Sequence, residues 1–201
     1  MTIMRRGAAL VAGVLLVAAC SGSSAVPAVV CVGEATTYLD WLNGDFLPDT
    51  QDAIEDPGSS SGDLLESLLR DDGFEVERRI VSDDADLIAS AMRELADSGV
   101  AVVLTTGGTG FAPRDVTPEA TRSVVEREAP GLAEAIRTDA IARTPHALLS
   151  RGIAGLRGAT LIVNLPGSPG GCRDGFAVIQ PALRHGLELA AGDTATPHRQ
   201  T

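Results

Sequence analysis

Two segments of this sequence carry residue types suited to holding an anion. One is Thr105-Thr106-Gly107-Gly108-Thr109-Gly110. The other runs Asn164-Leu165-Pro166-Gly167-Ser168-Pro169-Gly170-Gly171. Glycine has no Cβ, so the backbone can approach a ligand closely and turn its N–H groups outward. Threonine and serine hydroxyls add further donors. Such a set can cradle a phosphate without any basic side chain. One glycine-rich loop alone reads equally well as a tight turn. Two of them, each following an apolar strand, point to a ligand site. Asp115 lies five residues beyond Gly110, in Pro113-Arg114-Asp115-Val116-Thr117. It reads as a Mg2+ ligand or a carboxylate that orients the reacting group, or else as a local partner of Arg114 or of the N–H groups near Thr117. Asp83 has the same two sides: it follows a strand and so faces the ligand edge, but aspartate is also an ordinary N-cap there. His146, between Pro145 and Leu148, reads as structural. Cys172 sits near a helix start, where a thiolate would be stabilised, but no catalytic partner for it is visible.

The elements around these residues follow from periodicity. Leu64, Leu65, Leu68 and Leu69 recur at helical spacing from Asp63, and Gly73 closes that helix. Phe74–Val81 reads as a strand. Ser82, Asp83 and Asp84 offer N-caps for a helix whose apolar face is Leu87, Ile88, Ala91, Met92 and Leu95. The all-apolar run Val100–Leu104 predicts a central strand buried on both faces. Thr117-Pro118 starts a helix expected to reach about Glu128, and a second helix is expected over 131–142. Thr160–Asn164 reads as another buried strand, Leu165–Gly171 as a loop, and 174–190 as a last helix. Strands alternating with helices predict an α/β fold, doubly wound, with a mostly parallel sheet and helices on both faces. In such sheets ligands bind beyond the carboxyl ends of the strands, which is where both glycine loops fall.

Composition agrees. The 201 residues fit one domain of ordinary size. The chain is 44% hydrophobic but only 3% aromatic, so its core is built of Ala, Val, Leu and Ile. With 16 Lys and Arg against 27 Asp and Glu, the net charge is -11. There is no basic cluster, which excludes a nucleic-acid binder. An anionic ligand must then be held by backbone N–H groups or a metal against a repulsive overall field.

The first 26 residues form an apolar segment with two readings. Arg5-Arg6, an apolar run and Val17-Ala18-Ala19-Cys20 look like a lipoprotein signal ending on a lipidated Cys20. The same run also reads as a buried strand. The first strand of the domain is expected at either Ala8–Ala19 or Pro27–Val32. Residues 33–60 read as a long acidic loop.

Taken together, the motifs resemble one family. Thr105–Gly110 with Pro113–Ala120, then Leu149-Ser150-Arg151-Gly152, then Asn164–Pro169, in this order and spacing, are similar to the MogA/MoaB proteins of molybdenum cofactor biosynthesis. The likeness covers about 62–192 within a domain expected over 27–201. It implies a MogA/MoaB-like molybdopterin-binding fold, often trimeric, that binds molybdopterin through a terminal phosphate. It also implies a nucleotidyltransferase, a molybdopterin adenylyltransferase using ATP, molybdopterin and Mg2+. Asp83 and Asp115 match the family's two functional aspartates, both catalytic and metal-binding. Thr105, Thr106, Gly107, Gly108, Thr109, Gly110, Asn164, Pro166, Gly167 and Ser168 match its ligand-binding loops. Glu55-Asp56 and Ser61-Gly62 resemble the end of the family's first loop, with extra residues between them. The implied setting is the cytoplasm. The alternatives are a molybdopterin-binding protein without transferase activity, and an exported, membrane-anchored lipoprotein that reuses the fold.

Overall fold

The computed structural model describes the backbone of residues 12–19 and 27–32 and all of 61–192. Cys20, the acidic stretch 33–60 and Glu55-Asp56 lie outside the described residues. The strands are β1 (Ala12–Ala19), β2 (Pro27–Val32), β3 (Val76–Ser82), β4 (Val102–Thr106), β5 (Arg127–Glu128), β6 (Ala154–Arg157) and β7 (Thr160–Leu165). The helices are α1 (Ser61–Asp71), α2 (Ala85–Asp97), α3 (Thr117–Arg122), α4 (Pro130–Arg143) and α5 (Pro169–Ala190), with a 3-10 turn over Pro145–Leu149.

The strands form one sheet in the order β3-β1-β2-β4-β7-β6-β5. Its centre is parallel, β2 to β4 to β7. The flanking pairs β1–β2, β1–β3, β5–β6 and β6–β7 are antiparallel. Both segments weighed as the first strand are therefore strands, and β1 stands between β2 and β3.

Side-chain alternation along the central strands builds two apolar layers. Val102, Leu104, Leu161, Val163 and Leu165 face one layer, with Leu65 and Leu69 of α1, Ile136 of α4, and Phe176, Ile179, Leu183 and Leu187 of α5. Val103 and Ile162 face the other, with Ile88, Ala89, Met92 and Leu95 of α2 and Ala120 of α3. The chain is thus an α/β protein with helices on both faces of its sheet. Each fully buried Leu or Ile in these layers contributes about 1.5–3 kcal/mol.

Two boundaries differ from the sequence expectation. The helix from Thr117 ends at Arg122 rather than near Glu128. Ser123 caps it, its hydroxyl donating to Ala120 O at 2.7 Å. Val125 then packs beneath Gly155, and Arg127–Glu128 pairs with β6 as an edge strand. The last helix starts at Pro169, five residues early. Ser168 is its N-cap, accepting from Gly171 N at 3.2 Å, and Pro169 occupies the first turn, where its missing N–H costs nothing. Gly170 and Gly171 therefore belong to a helix and not to a loop.

Candidate functional site

The parallel register sets the site. Val32, Thr106 and Leu165 stand in one row, so β2, β4 and β7 end together. Ser82 pairs with Ala12 at the start of β1, which puts the end of β3 on the same edge. The segment 107–116 leaves β4 there, and Pro166–Ser168 leaves β7.

The two glycine loops abut. Gly107 N donates to Leu165 O at 3.4 Å, and a Cβ on Gly167 would stand 3.1 Å from Gly107 Cα. Gly107 and Gly108 have φ of 91° and 62°, which L side chains rarely adopt. Gly108 also faces Thr117 so closely that a Cβ would collide with Thr117 Oγ1. The loop is anchored behind by Thr117 N donating to Gly108 O at 3.1 Å.

The hydroxyl and amide side chains divide into two kinds. Asn164 is buried and fully used. Its Nδ2 donates to Thr105 Oγ1 and Thr121 Oγ1, each at 2.9 Å, and its Oδ1 accepts from Ile153 N at 3.1 Å. Asn164 and Thr105 are thus a brace beneath the loops, tying β4, α3 and β6 together. Thr106 differs: it is 1% exposed and its Oγ1 has no hydrogen-bond partner. A buried hydroxyl left unpaired costs about 1–3 kcal/mol. It is the orphan polar atom at the mouth of β4, where a ligand would supply the partner. Thr109 is buried, and Ser168 is exposed with its hydroxyl turned to its own helix.

Asp83 is not the helix cap. Asp84 is, with Oδ1 accepting from Asp86 N at 2.9 Å and Leu87 N at 3.0 Å. Asp83 is left half-buried at the ligand edge. Burial pushes its carboxyl above the usual aspartate range. The charge of Arg114 lowers it part of the way back, and the charge of Asp115 raises it again. Asp83, Arg114 and Asp115 therefore lie within electrostatic reach of one another. Asp115 makes a local bond with one oxygen only, to neither of the expected partners: Oδ2 accepts from Ala112 N at 2.7 Å. Its Oδ1 has no protein partner among the described residues, and Arg114 is exposed.

Arg151 joins the set, although the sequence marks it only as a member of the Leu149–Gly152 motif. Its Nε donates to Gly110 O at 2.6 Å, and its Nη groups donate to Asp115 O and the Glu119 carboxylate. Ser61 Oγ donates to Gly167 O at 2.5 Å and so ties the start of α1 to the second loop. Cys172 is buried, and burial pushes its thiol up to about 12, which makes it inert at neutral pH. His146 lies exposed in the 3-10 turn. No group of three or more metal-ligating side chains occurs among the described residues.

A family model described as a probable molybdopterin binding domain matches residues 28–185. The chain belongs to this molybdopterin-binding domain family. Among its relatives within the family, the "Molybdenum cofactor synthesis protein cinnamon" of Drosophila melanogaster is 43% identical over 139 residues. That match covers 68% of this chain but only 23% of cinnamon, so the chain corresponds to one part of a longer protein there. A "Molybdopterin adenylyltransferase" of Helicobacter pylori is 37% identical over 66% of this chain and 78% of its own length. The crystal structure of the molybdopterin biosynthesis enzyme MoaB from Thermus thermophilus superposes with a TM-score of 0.52 at 52% identity. It covers 55% of this chain and 70% of that one. Molybdenum cofactor biosynthesis is thus the family's work, and a MoaB-like fold the family's fold.

Proposed function

We propose that the chain is a molybdopterin adenylyltransferase. A terminal phosphate oxygen of molybdopterin attacks the α-phosphorus of ATP. A new P–O–P anhydride forms, the α–β bond breaks, and pyrophosphate leaves. The observation that carries this reading is the placement of Asp83 and Asp115 on the edge that holds the glycine cradle, with neither residue used up as a helix cap. A binding protein needs the cradle but has no use for a pair of carboxylates beside it. The relatives named as adenylyltransferases support the same reading.

The division of labour follows from charge. Two anions must meet in a protein of net charge -11. Backbone N–H groups of Gly108–Gly110, with the Thr106 hydroxyl, hold the molybdopterin phosphate. Two carboxylates, with no third such ligand among the described residues, suit Mg2+, which keeps several waters and is completed by substrate phosphates. Asp83 and Asp115 Oδ1 would hold the ion, which when bound neutralises charge on the phosphates of ATP. Arg114, within electrostatic reach of Asp83, adds a positive charge. What remains is positioning, which dominates when little covalent chemistry falls to the protein.

We also place the protein in the cytoplasm, where both substrates are available, and read it as a self-associating chain of MogA type, with the ligand-binding domain over 27–201. Phe111, Leu148 and Leu149 are large exposed apolar residues close in the chain to the first loop or to Arg151, and they support self-association. Among the described residues no helix is long and apolar enough to cross a membrane. The Val17–Cys20 sequence favours one second reading, a lipid-anchored protein. Membrane association that is lost in Cys20→Ser would establish it and overturn the cytoplasmic placement. Transfer itself is tested by pyrophosphate release with molybdopterin, ATP and Mg2+, comparing the wild type with Asp115→Ala.

A further inference from the structure

We propose that Arg151 is a positioning residue for the transfer step: its guanidinium fixes the backbone that carries Asp115. This rests on the adenylyltransferase reading.

Each nitrogen of this side chain donates to the protein. The Nε donates to Gly110 O at 2.6 Å, one Nη to Asp115 O and the other to the Glu119 carboxylate. Its backbone N donates to Thr109 O at 2.8 Å. One side chain thus ties both ends of the 110–115 excursion to each other and to α3. Inside the excursion the ties are local: Asp115 N to Ala112 O at 2.9 Å, and Ala112 N to Asp115 Oδ2 at 2.7 Å. Among the described residues no other hydrogen bond links Gly110 to Asp115. Lysine could not do the same. A guanidinium presents donors in a planar fork, whereas an ammonium is a point charge on a flexible stem.

The acceptors also show what Arg151 does not do. Each of its three nitrogens donates to a protein oxygen, so the guanidinium is held in place by the chain itself. It touches the Asp115 backbone and leaves the carboxylate alone, which keeps Oδ1 available. Glu119 completes the clamp. Burial works against its ionisation, but the hydrogen bond from Arg151, its own backbone N–H, and the charges of Arg151 and Arg122 outweigh it. Its carboxyl lies below the usual range. The cradle itself is anchored elsewhere, through Gly107 to Leu165 and Gly108 to Thr117. Loosening the clamp should therefore misplace Asp115 without dismantling the phosphate site.

The test uses the full chain with Arg151→Lys, and Glu119→Gln as a milder variant that removes the charge on one leg of the fork. Misplacement of a reacting group by an ångström can cost about 100-fold. In Arg151→Lys, kcat should fall by about that factor, while KM for molybdopterin and its binding affinity stay within about threefold. Amide hydrogen exchange gives an independent readout without substrate. The amides of Ala112 and Asp115 should exchange about tenfold faster, and that of Thr117 should keep its protection. Glu119→Gln should move the same quantities in the same direction by a few-fold. Unchanged kcat together with unchanged protection at 112 and 115 would overturn the proposal. So would loss of protection across the whole domain, or parallel loss of molybdopterin binding. If Arg151→Lys does not fold, Glu119→Gln decides alone: no shift in kcat or in exchange at 115 overturns it. A wild type that binds molybdopterin but never turns over would sink the adenylyltransferase reading and the catalytic role of Arg151 with it. Exchange would then report only on how the loop is held.

Discussion

Asp83 occupies a narrow place between a strand and a helix cap. It lies between Ser82, the last residue of β3, and Asp84, which caps α2. Since Asp84 supplies the cap, Asp83 is not needed to start the helix. Its carboxyl is instead raised by burial, with Asp115 adding to the rise and Arg114 opposing it. The folded-state value lies above the unfolded one of about 3.9. For a carboxylate this means that folding favours the protonated form. The contribution of Asp83 to stability is therefore greatest at low pH and falls as pH rises through the folded value. Asp83→Asn mimics the protonated state. It should raise Tm at pH 7, lose that advantage near pH 3, and still reduce transfer by about 100-fold or more. A thermal melt at the two pH values checks the first part; a lower or unchanged Tm at pH 7 would show that Asp83 is not held against its own ionisation.

At the scale of elements, the site is the space between two loops and the helices that follow them. The first loop depends on Gly108, whose φ of 62° and closeness to Thr117 leave no room for a side chain. Gly108→Val should cost about 1–2 kcal/mol in backbone strain alone. It should also weaken molybdopterin binding by about tenfold or more, as titration would read; unchanged affinity would mean the cradle lies elsewhere. This part of the molecule was legible in the sequence because glycine, threonine and apolar runs are local signals. β4, β7, α2 and α4 were legible for the same reason. The end of α3 at Arg122 was not, because it depends on Val125 packing under Gly155, some thirty positions away. Nor was the start of α5, where Gly170 and Gly171 look like loop residues until Ser168 is seen to cap them. Asn164 was legible as important, but its use as a brace depends on Thr105, Thr121 and Ile153 coming together in space. Arg151 acts on Gly110 and Asp115 across 41 and 36 positions, a relation no spacing rule contains.

At the scale of the whole molecule, a net charge of -11 favours solubility and works against every anionic substrate. In the proposed mechanism the site meets that cost locally, with backbone dipoles and a pair of carboxylates suited to a divalent ion. The same surface carries Phe111, Leu148 and Leu149, exposed by 67%, 64% and 47% beside the loop that Arg151 holds. Exposed apolar side chains of this size are the feature behind the proposed self-association. The purified chain should sediment as a trimer, and Leu149→Glu should shift it toward the single-chain mass. A wild type that sediments as one chain would remove self-association from this picture.

The central claim is transfer, and one assay meets it directly: pyrophosphate release by the full chain supplied with molybdopterin, ATP and Mg2+, wild type beside Asp115→Ala. The predicted result is release that requires molybdopterin and falls by about 100-fold or more in the variant, while molybdopterin binding is retained. Release by Asp115→Ala at the wild-type rate, or a wild type that binds molybdopterin and releases no pyrophosphate, would contradict it.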